Sequence, residues 1–115
     1  LTDKKETSLS QAGEIVGTPT FISPEACLGK ETTVRSDLYS LGCTFYFTIL
    51  GKPPFLGDSA IQTMQNHAMM PAPVPGQENP NLQVIDHIIQ KALAKMPEQR
   101  YQSATEMKSA LAALI

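Results

Sequence analysis

Apolar residues recur at helical spacing along most of the chain, and this pattern predicts an all-α fold. The longest repeat predicts a helix from Ser36 to Leu50, with a stripe of side chains three or four positions apart: Leu38, Leu41, Phe45, Thr48 and Ile49. Other apolar residues lie around its remaining sides, so we expect this helix to lie at the centre of the core. Gly51, followed closely by two prolines, is typical of a helix end.

Shorter patterns predict further helices on either side of this long one. Ser23 before Pro24 predicts a short helix that extends to Leu28, because serine caps helices and proline is favoured at their first position. Three more apolar repeats predict helices over residues 59–68, over 82–95 and from 103 onward. Four prolines within 69–81 predict an extended path there. No alternating run is convincing as a β-strand.

Composition and charge restrict the classes of function. A chain of 115 residues has room for one domain at most. A net charge of −2 with scattered basic residues excludes the positive surface typical of proteins that bind nucleic acid or anionic membranes. The longest apolar stretch is too short and too mixed to span a membrane. Cys27 and Cys43 form no CxxC pair, so we interpret them as free core thiols in a reducing, cytoplasmic setting.

The sequence lacks the usual motifs for catalysis or metal binding. It has no glycine-rich phosphate loop before a helix and no GxSxG motif. His67 and His87 lie on different predicted helices, which makes a metal site improbable. Residues 1–16 are polar and contain several hydroxyl groups, so they form either a solvated tail or a regulatory loop that accepts phosphate. From these features alone no function follows.

Three blocks of sequence, in order, resemble the protein kinase family. Residues 17–25, GTPTFISPE, resemble the end of a kinase activation segment, with Ser23 in place of the alanine in the family's Ala-Pro-Glu triplet. Residues 36–42, SDLYSLG, are similar to the start of the central helix of the C-terminal lobe, and GKPPF follows at 51–55 as in the family. Residues 92–101, ALAKMPEQRY, resemble the loop that carries a late arginine. These blocks are similar to those of bacterial serine/threonine kinases.

This resemblance implies an incomplete protein kinase fold made of C-lobe helices. It implies that 1–25 form the activation segment and substrate-pocket loop, and that 26–115 form the helical subdomain of a partial kinase domain. ATP and magnesium are implied for the full-length kinase. The glycine-rich loop, the strand lysine, the catalytic loop and the DFG motif are not in this sequence, so we expect no catalytic residue here and no tight ATP binding or phosphate transfer by this chain alone.

The resemblance also implies structural roles for three residues. Glu25 would pair with Arg100 and tie the activation segment to the later helices, and a bidentate geometry would make this pair directional. Asp37 would accept hydrogen bonds from the backbone of the catalytic loop, which would lie before Leu1. Without the resemblance, Glu25 and Asp37 are ordinary acids in the first turns of helices.

Substrate-binding and phosphorylation residues are implied in the same way. Thr18 would help place the substrate hydroxyl, and Phe21 would lie beneath the pocket for the residue that follows the phosphate acceptor. The position of Phe21 often holds tyrosine in the family, so one possible hydrogen bond is lost. Ser10, Ser8 and Thr7 lie where the family carries activating phosphates, and Ser10 is the first candidate.

Two functions remain open on this basis. The first is the C-lobe part of a serine/threonine protein kinase, with a protein substrate and the rest of the same kinase as its partners. The alternative is a non-catalytic helical interaction module descended from a kinase. In both cases we expect no nucleic acid and no membrane contact by this segment. The central helix would expose apolar surface in the isolated chain, which favours self-association.

Overall fold

A computed structural model describes residues 19–115, and this part of the chain is helical without a β-strand. Six α-helices follow in order: α1 (Pro24–Cys27), α2 (Val34–Leu50), α3 (Ala60–Met69), α4 (Pro75–Glu78), α5 (Asp86–Ala92) and α6 (Ala104–Ala112). Short 3₁₀ helices lie between them: Pro19–Phe21, Pro80–Ile85 and Pro97–Gln99. The predicted all-α class and the long central helix are therefore confirmed.

The central helix α2 begins two residues earlier than the sequence pattern predicts. Thr33 is its N-cap, and the Thr33 hydroxyl oxygen accepts a hydrogen bond from the backbone N–H of Arg35 at 3.1 Å. The Ser36 hydroxyl in turn accepts from the backbone N–H of Thr33 at 3.1 Å, which completes a capping box. At the other end Gly51 has φ of 77°, a left-handed conformation that glycine adopts without strain.

The core lies against one side of α2. Tyr39, Cys43 and Tyr46 of this helix are fully or almost fully buried, and they pack in a cluster with further buried residues: Phe55, Ile85, Ile89 and Leu93. A second cluster extends the core toward α6 and contains Leu38, Ile88, Ala92, Tyr101 and Met107. Helix α5 contributes to both clusters, so α2 and α5 form the centre of the described structure.

The predicted apolar stripe of α2 is only partly correct. Leu38 is buried, but Leu41 is 48% exposed and Ile49 is 39% exposed. Because the helix is apolar on nearly all sides, periodicity alone does not identify the side that packs. Gly42 marks the side of α2 that packs against α5, because a Cβ atom at this position would lie 2.7 Å from the Cβ of Ala92. Only glycine lets the two helices approach this closely.

The proline-rich region and the helix after it also differ from expectation. Residues 69–81, predicted to be extended, contain the short helix α4, whose first residue is Pro75. The predicted helix over 82–95 is divided into a 3₁₀ helix and α5, because Pro80 and the Asn79 cap start a tighter turn first. Both cysteines are free, with Cys43 buried and Cys27 half-buried.

In residues 19–115 no helix combines the length and the apolar character needed to cross a membrane.

Candidate functional site

Four of the residues that the resemblance implicated lie in the described part of the chain: Phe21, Glu25, Asp37 and Arg100. The other four lie outside the described residues: Thr18 in the substrate loop and the phosphorylation candidates Ser10, Ser8 and Thr7. The structure brings two of the four described residues into direct contact, Glu25 and Arg100. The other two contact neither of them through a hydrogen bond.

Glu25 and Arg100 form a bidentate ion pair across 75 positions of sequence. Each carboxylate oxygen accepts one guanidinium N–H, and both nitrogen–oxygen distances are 2.7 Å. Ser23 and Pro24 place Glu25 there, because the Ser23 hydroxyl accepts the backbone N–H of Ala26 at 3.3 Å and starts α1. Arg100 is 1% exposed, so this pair is buried and directional.

Arg100 uses all five of its N–H donors. Two bind Glu25, and the other three donate to backbone carbonyl groups: Nε to Ala94 at 2.7 Å, Nη1 to Arg35 at 3.2 Å and Nη2 to Lys95 at 3.1 Å. A buried guanidinium is tolerated when its charge is paired and its donors are satisfied, and both conditions hold here. Arg100 therefore fastens α1, the start of α2 and the loop before residue 100 to one another.

Ser36 adds a third contact to this pair that sequence reasoning missed. Its hydroxyl donates to Glu25 Oε2 at 2.6 Å while accepting the backbone N–H of Thr33. The spacing Thr33-x-x-Ser36 was the available signal for a capping box, but nothing in it pointed to Glu25. Burial alone would raise the pKa of Glu25, and the hydrogen bonds from Arg100 and Ser36 outweigh this and lower it to about 2.

The ring of Tyr39 lies against the guanidinium from the side of the core. Arg100 Cζ is 4.8 Å from the Tyr39 ring centroid, within cation–π range. The Tyr39 hydroxyl is hydrogen-bonded to Nδ1 of His67 at 2.8 Å, which links the pair to α3. Burial raises the pKa of Tyr39, so this phenol stays neutral. We call Glu25, Ser36, Tyr39 and Arg100 the Arg100 cluster.

Phe21 precedes α1 in the sequence and contacts α2 through its carbonyl group and its ring. Its carbonyl oxygen accepts a hydrogen bond from the Ser40 hydroxyl at 2.5 Å. Its half-buried ring meets the ring of Phe47 edge-on, with centroids 5.9 Å apart at 63°. The segment from Phe21 to Glu25 is thus fixed at two points, by Ser40 at its start and by Arg100 at its end.

Asp37 lies apart from the Arg100 cluster, with its side chain exposed in the first turn of α2. A carboxylate at this position interacts favourably with the positive end of the helix. Among residues 19–115 no group of three or more histidine, cysteine or acidic residues is arranged to hold a metal ion.

The protein kinase domain model matches residues 2–111 of the chain. Among curated proteins, the serine/threonine-protein kinase PknB of Mycobacterium leprae is 42% identical over 106 residues, and a probable PknB of Bifidobacterium longum is 39% identical over 108 residues. These matches cover 91% and 93% of this chain but only 17% and 16% of the relatives, so the chain spans about a sixth of their length.

A solved structure gives the same result for the fold. The kinase domain of Mycobacterium tuberculosis PknI superimposes with a TM-score of 0.69 at 26% sequence identity. The similarity covers 88% of this chain and 37% of that kinase domain. The helices described above are therefore a kinase-like C-lobe, and the relatives are serine/threonine kinases of bacteria. The chain belongs to the protein kinase family.

Proposed function

We propose that this chain is the part of a serine/threonine protein kinase that holds the activation segment and binds the protein substrate. The complete kinase would transfer the γ-phosphate of ATP to serine or threonine in a protein. ATP, magnesium and the catalytic loop would be bound or supplied by the rest of the kinase domain, so this chain alone is inactive in the proposal. Because ATP is available in the cytoplasm, we place this part of the kinase in that compartment.

The observation that carries the proposal is the Arg100 cluster. Its buried ion pair fastens residue 25, at the end of the proposed activation segment, to residue 100 near the last helix. Together with the hydrogen bond from Ser40 to Phe21, it fixes residues 21–25, which would form the end of the activation segment. Phosphoryl transfer depends on positioning, and a misplacement of about 1 Å can lower a rate by about 100-fold.

The remaining predicted residues have roles in this proposal. Asp37 would accept hydrogen bonds from the catalytic loop, which agrees with its exposed carboxylate. Thr18 would help position the substrate hydroxyl, with Phe21 below the adjacent pocket. Phosphorylation of the segment that contains Ser10, Ser8 and Thr7 would add charge and order it against an arginine of the catalytic loop.

The exposed side of α2 would contact the rest of the kinase domain. Leu41 and Phe47 are 48% and 44% exposed, and with Val34 and Ile49 they leave several apolar side chains of α2 uncovered. In the isolated chain this surface would favour self-association. Light scattering should show the isolated chain in oligomers and a complete kinase domain as a monomer. A stable monomer of the isolated chain would contradict this part of the proposal.

The test joins the chain to the sequence encoded upstream of Leu1 in the same reading frame. Purified long and short proteins are incubated with labelled ATP and magnesium, with casein as the acceptor. We expect phosphate transfer by the long protein and none by the 115-residue chain. An upstream sequence that starts a few codons before Leu1, without a DFG motif or catalytic loop, would instead favour the non-catalytic interaction module.

Asp37→Asn provides a variant that separates folding from function. Because Asp37 is exposed here, the substitution should leave the unfolding of the 115-residue chain nearly unchanged. In the long protein the same substitution should lower phosphate transfer by roughly tenfold or more, because a charged acceptor of backbone N–H groups is lost. Equal activity of Asp37→Asn and the parent would refute the role of Asp37.

A further inference from the structure

Lys95 lines a cleft beside the Arg100 cluster, and Glu25 of that cluster forms part of its wall. The cleft has a volume of about 440 Å³ and runs between α1, the end of α3 and the loop before Arg100. Lys95 lines it together with Glu25, Lys30, Glu31 and apolar residues such as Pro24 and Ala68. The volume is large enough for a small organic molecule.

The Lys95 amine is held in a partly apolar environment. Nζ lies 4.1 Å from the centroid of the Phe55 ring and donates to the backbone carbonyl of His67 at 2.6 Å. Within residues 19–115 it forms no ion pair with a carboxylate. Glu25 lines the same cleft, but its oxygens are occupied by Arg100 and Ser36.

The surroundings of Lys95 shift its amine toward the neutral form, although the ammonium form still predominates at pH 7. Burial lowers the pKa of Lys95 to about 8, and the nearby positive charge of Arg100 acts in the same direction. Thiolates at Cys43 and Cys27 would act in the opposite direction. Burial raises the pKa of Cys43 to about 12 and also raises that of Cys27, so both thiols are neutral near pH 7.

We propose that Lys95 is an acylation site, at which the amine of this half-buried, cleft-lining lysine accepts an acyl group from a small activated donor such as an acyl phosphate. The neutral Nζ attacks the acyl carbon, and the bond between that carbon and the phosphate oxygen breaks. Phosphate leaves with the electron pair, the amine releases one proton to water, and an amide results. A neutral amine has two hydrogens, so one can still bind the His67 carbonyl during attack.

The other described lysines lack this combination of features. Lys52 and Lys91 are exposed and paired with carboxylates, at 2.9 Å from Glu78 and Glu106 respectively. A lysine with a pKa of about 8 is about 10% neutral at pH 7, whereas one with the reference value near 10.4 is below about 0.1% neutral. Lys95 thus offers far more of the reactive form.

Acylation at Lys95 would also change the structure around it. The ammonium charge over Phe55 would disappear, and with it the cation–π contact. Only one N–H would remain to bind the His67 carbonyl near the end of α3. The contact between α3 and the loop that carries Arg100 would therefore weaken.

The test treats the 115-residue chain with acetyl phosphate at pH 7 and follows each lysine by peptide mass spectrometry. Lys95 should be acetylated roughly tenfold faster than the exposed Lys108, since its larger neutral fraction is partly offset by limited access. The matched control is the same chain in 8 M urea (about the usual denaturing concentration), where the preference for Lys95 should vanish. A rate at Lys95 equal to or below that at Lys108 in the folded chain overturns the proposal.

A pH series separates reactivity of the folded site from a local sequence effect. In the folded chain the rate at Lys95 should level off above pH 8, near the pKa of this amine. In urea the rate at the same residue should continue to rise toward the reference lysine value of about 10.4. Identical pH profiles for Lys95 with and without urea would overturn the role of the cleft. These readouts do not require phosphate transfer, so they are independent of the proposed kinase function.

Discussion

Two ion pairs in this chain have similar distances and opposite surroundings. Arg100 and Glu25 are joined at 2.7 Å with side-chain exposures of 0% and 10%, whereas Lys91 and Glu106 are joined at 2.9 Å with exposures of 43% and 41%. The buried pair joins α1 to the loop before α6, and the exposed pair joins α5 to α6. Their distances alone would predict similar contributions to stability, but their different burial predicts different contributions.

The difference arises from the surroundings of each charge. Water screens the exposed pair, and such pairs contribute about 0–1 kcal/mol to stability. Removal of one partner from a buried pair leaves an uncompensated charge and costs about 3–5 kcal/mol. The three carbonyl acceptors around Arg100 enlarge that penalty, because they lose their donors as well.

The largest expected effect comes from Arg100. Arg100→Ala should lower the free energy of unfolding by about 3–5 kcal/mol, because the carboxylate of Glu25 stays buried without its partner. Arg100→Lys should lower it nearly as much, since one ammonium cannot reproduce a bidentate contact and three further bonds to carbonyl groups. Urea unfolding followed by circular dichroism measures both variants. A lysine variant as stable as the parent would show that charge, not geometry, holds the cluster.

The next largest effect is a pH dependence that Glu25 confers. Its pKa is about 2 in the folded chain and near the ordinary value of 4.5 when unfolded, so the folded state favours the charged form. This contribution is complete above about pH 4.5 and is lost as the pH falls toward 2. Its size is about 3 kcal/mol for a shift of this magnitude.

Urea unfolding at a series of pH values from 2 to 7 (roughly the range over which carboxylates titrate) measures this dependence. Glu25→Gln is the matched control, because the amide does not titrate. The variant should be less stable at neutral pH and should lose less stability than the parent on acidification. Parallel curves for parent and variant would show that other carboxylates cause the acid sensitivity.

Ser36→Ala tests the hydroxyl that joins the buried pair to α2. The substitution removes a hydrogen bond to a charged group and one half of the capping box, so we expect a loss of about 1–3 kcal/mol. The pKa of Glu25 should rise at the same time, because one of the contacts that lower it is gone. Unfolding at two pH values detects both changes. An unchanged acid response would mean that Arg100 alone controls this carboxyl group.

The smallest effect should come from the exposed pair. Lys91→Ala should lower the free energy of unfolding by less than about 1 kcal/mol, even though Lys91 also lies 4.9 Å from the Tyr101 ring centroid. Raising the salt concentration to about 1 M should shrink this small effect further, because exposed charges are screened. A loss comparable with that of Arg100→Ala would remove the distinction between the two pairs.

Local chemistry made several elements predictable from sequence. Ser23 occupies the N-cap position predicted for it, because the preference is local and depends on few neighbours. The start of α2 was misplaced because Thr33 and Ser36 are both hydroxyl residues that satisfy each other. The spacing of apolar residues did not reveal the 3₁₀ helix that begins at Pro80.

The contacts within the Arg100 cluster could not be predicted from local sequence patterns. Glu25 and Arg100 were expected to meet only through the family resemblance, since no spacing rule joins residues 75 positions apart. Ser36 and Tyr39 joined the cluster only once the packing of α2 was known. Which side of α2 faces the core was likewise decided by tertiary packing, because its sequence is apolar on nearly every side.

The close approach at Gly42 has a consequence for how this protein can change. Gly42 and Ala92 share a single small volume between α2 and α5, so neither position is free to vary alone. Gly42→Ala would create a clash that Ala92→Gly would relieve, and the pair would then be more tolerated than either half suggests. In related sequences we therefore expect a larger residue at one of these positions to accompany a smaller residue at the other. The two central helices would then evolve in a correlated way.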